Sequence, residues 1–324
     1  MHLLVPFASD TSEACQHVLR DAALPNLERL LAMLTPVGRD EGDAFSFSPP
    51  HERALAAAWG WRGGDGLLPF AARAAGADGI ATGAQAWALL TPAHWQLGRD
   101  HVTMLEPDQL ALAEVESRAL FAGVAPLFAS EGFEVAWGGA GRWYAARDDL
   151  QGFATASPDR VIGRGVDRWL RASASPSNDS AAVAVGGIAK LVRRLQSEAQ
   201  LLLYTHDLNA AREERGALAV NSFWLSGCGR AQAEIAAATP QIADGLRAPL
   251  LAGDWAAWAE AWQALDAGAI ARLLEHARDG IDVTITLCGE RTAARFALQS
   301  RSLWQRLRGA AGARPNAHDV LGPL

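Results

Sequence analysis

The sequence predicts an α/β protein, a mixed sheet core flanked by helices. Three observations carry that prediction. Short apolar runs at 2–7 and 281–287 have strand length, and 281–287 alternates apolar and polar residues as a strand with one wet face would. Each adjoins segments of helical period, with Leu19, Leu24, Leu27, Leu30, Leu31 and Leu34 after the first run and Trp255, Trp258, Trp262 and Leu265 before the second. Between them, a helix-length apolar stripe over 107–132 leads into an aromatic hairpin, where Phe133, Val135 and Trp137 alternate, glycines 138, 139 and 141 turn, and Trp143-Tyr144 starts the return strand.

Composition narrows the function classes. With 324 residues, half of them hydrophobic, the chain can bury a core large enough for one large or two modest domains. A net charge of −7 and a pI near 5.6 argue against general binding to nucleic acid or anionic membranes. No run of 18 apolar residues occurs, so no membrane span is expected. The first residues lack the basic region of a secretory signal. Cys15, Cys228 and Cys288 are far apart and form no C-x-x-C pair, as suits a reducing cytoplasm.

Taken in order, the 2–7 strand leads to Asp10, and Pro25-Asn26 opens a new helix. A further helix starts at Ser48 or Pro49, tolerates Pro50 in its first turn and ends at Gly60. The glycine-rich turn at 63–69 has the flexibility to cradle an anion but lacks the lysine of a phosphate loop. Over 86–104 a strand carrying Trp87, Leu89 and Leu90 is expected to break at Thr91-Pro92, with another strand over 102–105. Arg160, Arg164, Arg168 and Arg171 recur at helical intervals, although Gly163 and Gly165 weaken that helix. Residues 172–184 are small and polar, the composition of a lid or linker, and 188–199 is an amphipathic helix. At 201–204 a buried strand is expected, then a polar turn, a second strand through Val220, Phe223 and Trp224, and a glycine turn at 227–229. After the tryptophan helix comes a second helix over 269–276, and 309–324 has the composition of a frayed tail.

Several groups can do chemistry, each with a plainer alternative. Arg212 and Arg215, three apart, can offer guanidinium forks to a phosphate or carboxylate, or pair with Asp207, Glu213 and Glu214 on a solvated turn. Asn209 and Asn221 are placed to orient such a ligand. His94, Asp100 and His101 are candidate ligands for a divalent metal, or the histidines are hydrogen-bond partners in a core. Asp10 is an N-cap or a metal ligand. His51 is a nucleophile or, with Glu52, a capping pair, and Ser46 and Ser48 lie close by. The arginine stripe that includes Arg160 is a ligand surface or a solvated face. The tryptophan stripe is core packing or a face for a protein partner.

The order of residues in 206–227, with Asn209, Arg212, Gly216, Asn221, Trp224 and Gly227, resembles the archaeal-type cofactor-independent phosphoglycerate mutases of the alkaline phosphatase superfamily. Their corresponding stretch reads approximately H-P-x-N-x-x-R-x-x-x-G and continues into a strand. The opening L-P-N-L-E-R-L-L also resembles that superfamily. The chain as a whole is more similar still to RpfE-type regulatory proteins. The resemblance covers about residues 1–230 and implies an alkaline-phosphatase-like core with an inserted α+β substrate-type domain. The implied division is 1–85 for the first part of the core, 86–230 for the insertion and 231–308 for the completion of the core, with 309–324 as tail. It further implies that Asp10 stands where a metal ligand does, that His51 stands where the family's nucleophilic serine does, and that Arg142 faces substrate. The family's C-terminal metal motifs are missing, since His276 and His318 are the only histidines after Gly229 and no Asp-His-Gly occurs.

The resulting expectation is a cytoplasmic regulatory or ligand-sensing protein that binds a small phosphorylated or carboxylated metabolite and has lost two-metal catalysis. Asn209, Arg212, Arg215, Asn221, Trp224, Arg142 and Arg160 would bind the ligand. Two alternatives stand beside it. One is an active Mn-, Zn- or Mg-dependent phosphoryl transferase or phosphatase using a rearranged site around Asp10, His51, His94 and His101; the other is a protein-interaction module built on the C-terminal tryptophan helix.

Overall fold

A computed structural model describes residues 1–172, 180–234, 239–298 and 316–324. The chain forms two compact units, Met1–Trp61 with Glu234–Leu324, and the intervening Arg62–Ala233. The first unit begins with β1 (His2–Val5), α1 (Glu13–Asp21), α2 (Pro25–Met33), β2 (Thr35–Glu41) and α3 (Pro50–Trp59). The second contains α4 (Phe70–Ala77), β3 (Ala86–Ala93), β4 (Trp95–Leu97), β5 (Val102–Met104), α5 (Glu114–Ser130), β6 (Glu134–Gly139) and β7 (Arg142–Ala146). It continues with α6 (Pro158–Val161), α7 (Val166–Ala172), α8 (Ser180–Tyr204), α9 (Asp207–Glu214) and β8 (Ser222–Arg230). The first unit resumes with β9 (Gln241–Ile242), α10 (Arg247–Ala252), α11 (Trp255–Leu265), α12 (Ala271–Arg278), β10 (Thr284–Cys288), β11 (Thr292–Ala297) and α13 (Ala317–Leu321).

The first unit is built on a mixed sheet in the order β2-β11-β10-β1-β9, with β1 parallel to β10 and β9 and the other pairs antiparallel. One face carries Leu3, Val5, Ile285, Leu287, Ala294 and Phe296, which join a buried core with α1, α2, α11 and α12. Trp258 and Trp262 are fully buried in that core, their rings edge to face at 6.2 Å, and the Trp258 indole donates to the Phe7 carbonyl at 3.1 Å. The tryptophan stripe is therefore internal packing, and these two residues offer nothing to a protein partner. Helix ends are satisfied by nearby side chains and by glycine. The Ser12 hydroxyl accepts from the Cys15 N–H, Asp254 accepts from the Ala257 N–H, and Gly60 closes α3 at φ 75°. Leu24 cannot cap α2 with its side chain, so the buried Asp266 carboxylate accepts from the Asn26 and Leu27 N–H groups instead.

Several sequence expectations for this unit need correction. Strand β10 is paired on both edges, by β1 and β11, and residues 285–288 are all buried, so both its faces are covered and neither is wet; 281–283 precede the strand. Residues 316–324 are not a frayed tail. Helix α13 buries Leu321, Leu324 is also buried, and the Leu324 carbonyl accepts from the Arg291 and Thr292 N–H groups. Residues 309–315 of the expected tail lie outside the described residues.

The second unit is α+β, an antiparallel sheet in the order β6-β7-β3-β8 with a separate β4-β5 hairpin. Helices α5 and α8 cover one face through Leu120, Val124, Phe128, Leu195, Ala199 and Leu203. On the other face α4 packs Ala71, Ala72 and Ala75 against Trp87 and Tyr144. That packing is why the unit starts at Arg62 rather than at residue 86. Gly227, at φ 66°, permits the close approach of α4, since a β-carbon there would stand 2.8 Å from the Ala71 nitrogen.

Four local expectations change here. The 201–204 run is the end of α8 and not a strand, with Leu203 buried while Leu201 and Tyr204 are exposed, as a helix places them. Strand β3 runs through Thr91-Pro92 without a break. Its pairing with β7 ends at Leu90, so Pro92 faces only β8 and has no second neighbour to deprive of a hydrogen bond. The 107–132 helix is a 3₁₀ turn at Pro107–Leu110, a left-handed Ala111 (φ 43°), and then α5. The arginine stripe is divided between α6 and α7 by Gly163 at φ 73°. Most of the expected lid, 173–179, lies outside the described residues.

Candidate functional site

The expected ligand residues of the second unit are drawn together, and the structure uses them as internal ties. His206 caps α9 by accepting from the Leu208 N–H at 3.2 Å, which makes 207–214 a helix instead of a polar turn. One turn on, Asn209 is buried; its amide donates to the Leu203 and Val220 carbonyls at 2.8 Å and its oxygen accepts from the Val220 N–H at 2.9 Å. One side chain thus joins the end of α8 to the chain entering β8.

Arg212 is fully buried. Its Nε donates to the Leu218 carbonyl at 2.8 Å, Nη1 to Glu116 Oε2 at 2.5 Å, and Nη2 to the Leu110 carbonyl. Arg215, half exposed, pairs with the other oxygen of Glu116. The expectation that these two forks meet a ligand is corrected by that geometry, because Arg212 presents no surface and Glu116 occupies the anion's place. Burial alone would raise the Glu116 carboxyl, but the hydrogen bonds from Arg215 and the Ala113 N–H and the two arginine charges outweigh it and hold it below the usual range.

The other candidates are used in the same way. Asn221 accepts from the Trp95 N–H at 2.7 Å and donates to the Trp95 carbonyl at 2.9 Å, tying the β4-β5 hairpin to β8. The buried Trp224 donates to the Ala156 carbonyl at 2.8 Å. Arg142 forks onto both oxygens of Asp78 at 2.8 Å, and Tyr144 donates to the same carboxylate at 2.7 Å. That fork, the largest influence, holds Asp78 below the usual carboxylate range. Arg160 is buried with its guanidinium 5.9 Å from the Trp169 ring. The glycine-rich turn closes on itself, the Leu67 N–H donating to the Gly64 carbonyl at 3.0 Å.

The metal candidates do not converge. His94 stands at the base of the β4-β5 hairpin, opposite Leu105, with its Nδ1 2.8 Å from the Ala219 carbonyl; His101 is at the tip, opposite Gly98. Three strand residues, and so four residue steps, separate base from tip, about 13 Å at the rise of a β-strand, whereas zinc–nitrogen bonds are about 2 Å long. Among the described residues no three of His, Cys, Asp and Glu gather as metal ligands. A divalent metal therefore finds no donor set in them, and no chemical step is assigned to one.

Asp10 and His51 belong to the first unit. The Asp10 carboxylate accepts from the Ser12 N–H at 2.7 Å and its carbonyl accepts from Gln16, so it orders the entry to α1. His51 lies buried in the first turn of α3 with its ring 5.0 Å from that of Phe7, just beyond β1.

The first unit also holds a cavity that the sequence reading did not find. Its volume is about 160 Å³, and it lies between α3 and the sheet face opposite the tryptophan core, lined by His2, Gly38, Arg39, Asp40, Ala54, Ala57, Thr286, Ala293 and Arg295. Thr286 pairs with Arg295, and Arg295 with Gly38, so these residues form one row across three strands. The absent side chain of Gly38 leaves room for the Arg295 guanidinium, which lies 3.5 Å from where a β-carbon would stand. Buried Thr286 is 2.8 Å from His2 Nε2. Burial, reinforced by the Arg295 charge, lowers the His2 pKa to about 4, so the ring is neutral at pH 7. Arg39 pairs with Glu41 at 3.0 Å and Asp40 with Arg53 at 2.6 Å, while Arg295 has no ion pair among the described residues. The lining thus holds one positive charge without an ion pair, on the exposed Arg295. Its signal in the sequence is faint, a threonine at an inward position of 284–288 and an arginine inside an otherwise apolar strand.

These features define a two-unit α/β protein with a mixed-sheet core, an antiparallel α+β unit inserted into it and a cationic cavity on the core sheet. No family model matches the chain, and no curated protein matches its sequence. Among solved structures it is similar to the cofactor-independent phosphoglycerate mutase from Thermoplasma acidophilum DSM 1728, at 15% identity and a TM-score of 0.36, over 99% of this chain and 98% of that one. It is also similar to the PH0037 protein from Pyrococcus horikoshii, at 13% identity and a TM-score of 0.42, over 98% of this chain and 94% of that one. At these values the likeness assigns no activity and no site residue to this chain. No helix among the described residues is long and apolar enough to cross a membrane.

Proposed function

We propose that this chain is a ligand-sensing regulatory protein of the cytoplasm, of the RpfE type, and that it binds a small phosphorylated or carboxylated metabolite in the first-unit cavity. The observation that carries this reading is Arg295, a guanidinium without an ion pair among the described residues, beside a neutral histidine and a buried threonine in a cavity of about 160 Å³. Arg295 is exposed, so a dissolved anion can reach it, and its planar fork suits carboxylate or phosphate oxygens. In the second unit Arg142, Arg212 and Arg215 are engaged by Asp78 and Glu116.

The test is thermal denaturation of the full chain with acetate, inorganic phosphate and three-carbon phosphorylated acids, for wild type and Arg295→Gln. A ligand at a hundred times its Kd stabilises the folded state by about 2.7 kcal/mol. A rise in Tm with at least one of these anions, absent in Arg295→Gln, is expected. No rise with any of them, or an equal rise in the variant, refutes the reading.

A further inference from the structure

The charges around the cavity go further than the anion class. Arg39 and Asp40 each have an opposite charge of their own, Glu41 and Arg53, and His2 adds none. Among the lining residues what remains is a single positive charge, on Arg295. A monoanion neutralises it; a dianion brings a second negative charge towards the Asp40 carboxylate, which repels it. Opposite the arginine, His2 and Thr286 share one hydrogen bond. Whichever of them donates, the threonine oxygen keeps a further hydrogen-bonding position, suited to an uncharged polar group. An empty cavity of about 150 Å³ is known to accept benzene, a molecule of six heavy atoms, and this one is about 160 Å³.

Resting on the anion-binding reading above, we propose that the cavity selects a small monoanionic hydroxycarboxylate, its carboxylate on Arg295 and its hydroxyl on Thr286, and discriminates against dianions. Ala54, Ala57 and Ala293 supply the apolar wall that a short carbon chain needs.

Calorimetric titration of the full chain with lactate, propionate, malonate and inorganic phosphate tests this. Lactate is expected to bind at least tenfold more tightly than malonate or phosphate. Thr286→Val should weaken lactate several-fold while leaving propionate unchanged, Thr286→Ser should restore it, and Arg295→Gln should abolish both. Arg295→Lys, which keeps the charge without the fork, should retain part of the affinity and shows that loss in the glutamine variant is not misfolding. If malonate or phosphate binds as tightly as lactate and still depends on Arg295, the cavity is an anion site and the selectivity proposed here is wrong. If Thr286→Val weakens propionate and lactate alike, the hydroxyl contact is wrong. If no anion binds, this inference and the function it rests on both fall.

Discussion

Arg212→Met separates an internal arginine from a ligand-binding one. Methionine keeps most of the side chain's apolar stem but removes every donor. Three acceptors then lose their partner in a buried setting, the Leu218 carbonyl, the Leu110 carbonyl and Glu116 Oε2. Each neutral acceptor left without a hydrogen bond costs about 1–3 kcal/mol. Breaking a buried ion pair from one side costs about 3–5 kcal/mol, and Arg215 offsets part of that because it still holds the other Glu116 oxygen. A loss of about 4 kcal/mol is expected, on the order of 10 °C in the Tm of a unit this size. Arg215→Ala is the control. Its side chain is 53% exposed, so water screens it, and a change under about 1 kcal/mol is expected. The assay is urea denaturation followed by tryptophan fluorescence, with Glu116→Gln in the Arg212→Met background expected to recover part of the loss. Arg212→Met with wild-type stability and a weakened anion response would refute the structural assignment and return this arginine to a binding role.

Three further outcomes are expected. His2 should titrate near pH 4 by NMR; its folded pKa is depressed, so its contribution to stability is full above about pH 6.5 and is lost as the pH falls towards 4, and Arg295→Gln should move the midpoint upward. Gly227→Ala should destabilise the second unit by about 1–3 kcal/mol, because the residue needs φ 66° and its β-carbon would meet the Ala71 nitrogen, a change measurable in the same urea titration. Burial pushes the Cys15 thiol up to about 11 and that of Cys228 to about 12, so neither should react with a thiol reagent at pH 8 until the protein is unfolded.

Much of the fold was legible because its local signals are strong. Pro25-Asn26 and Pro50 with Gly60 mark helix ends by chemistry that acts within a few residues. The errors came where period alone had to choose. The apolar 201–204 run is too short to distinguish a strand from the last turn of a helix, and the 281–287 alternation says nothing about how many neighbours the strand acquires. The site was harder for a physical reason. Arginine and asparagine serve a ligand and an internal carbonyl with the same donors, so the pattern Asn209, Arg212 and Asn221 is chemically ambiguous until its acceptors are known. Those acceptors include Leu110 and Glu116, about a hundred residues away in the chain. The cavity has the same character, since His2, Gly38, Thr286 and Arg295 meet only through the register of four strands.

That register also shapes how the molecule can assemble as it is made. Strand β1 is synthesised before the inserted unit, yet its hydrogen-bonded neighbours, residues 241–242 and 284–287, come after it. The stretch 62–233 is contiguous and contains every partner in its own sheet. Loop closure across more than 200 residues is slow and costly, whereas a continuous segment meets its own contacts early. The inserted unit can therefore acquire its structure on the ribosome while the surrounding one waits, its opening strand unpaired until residues 241–242 and then 284–287 emerge.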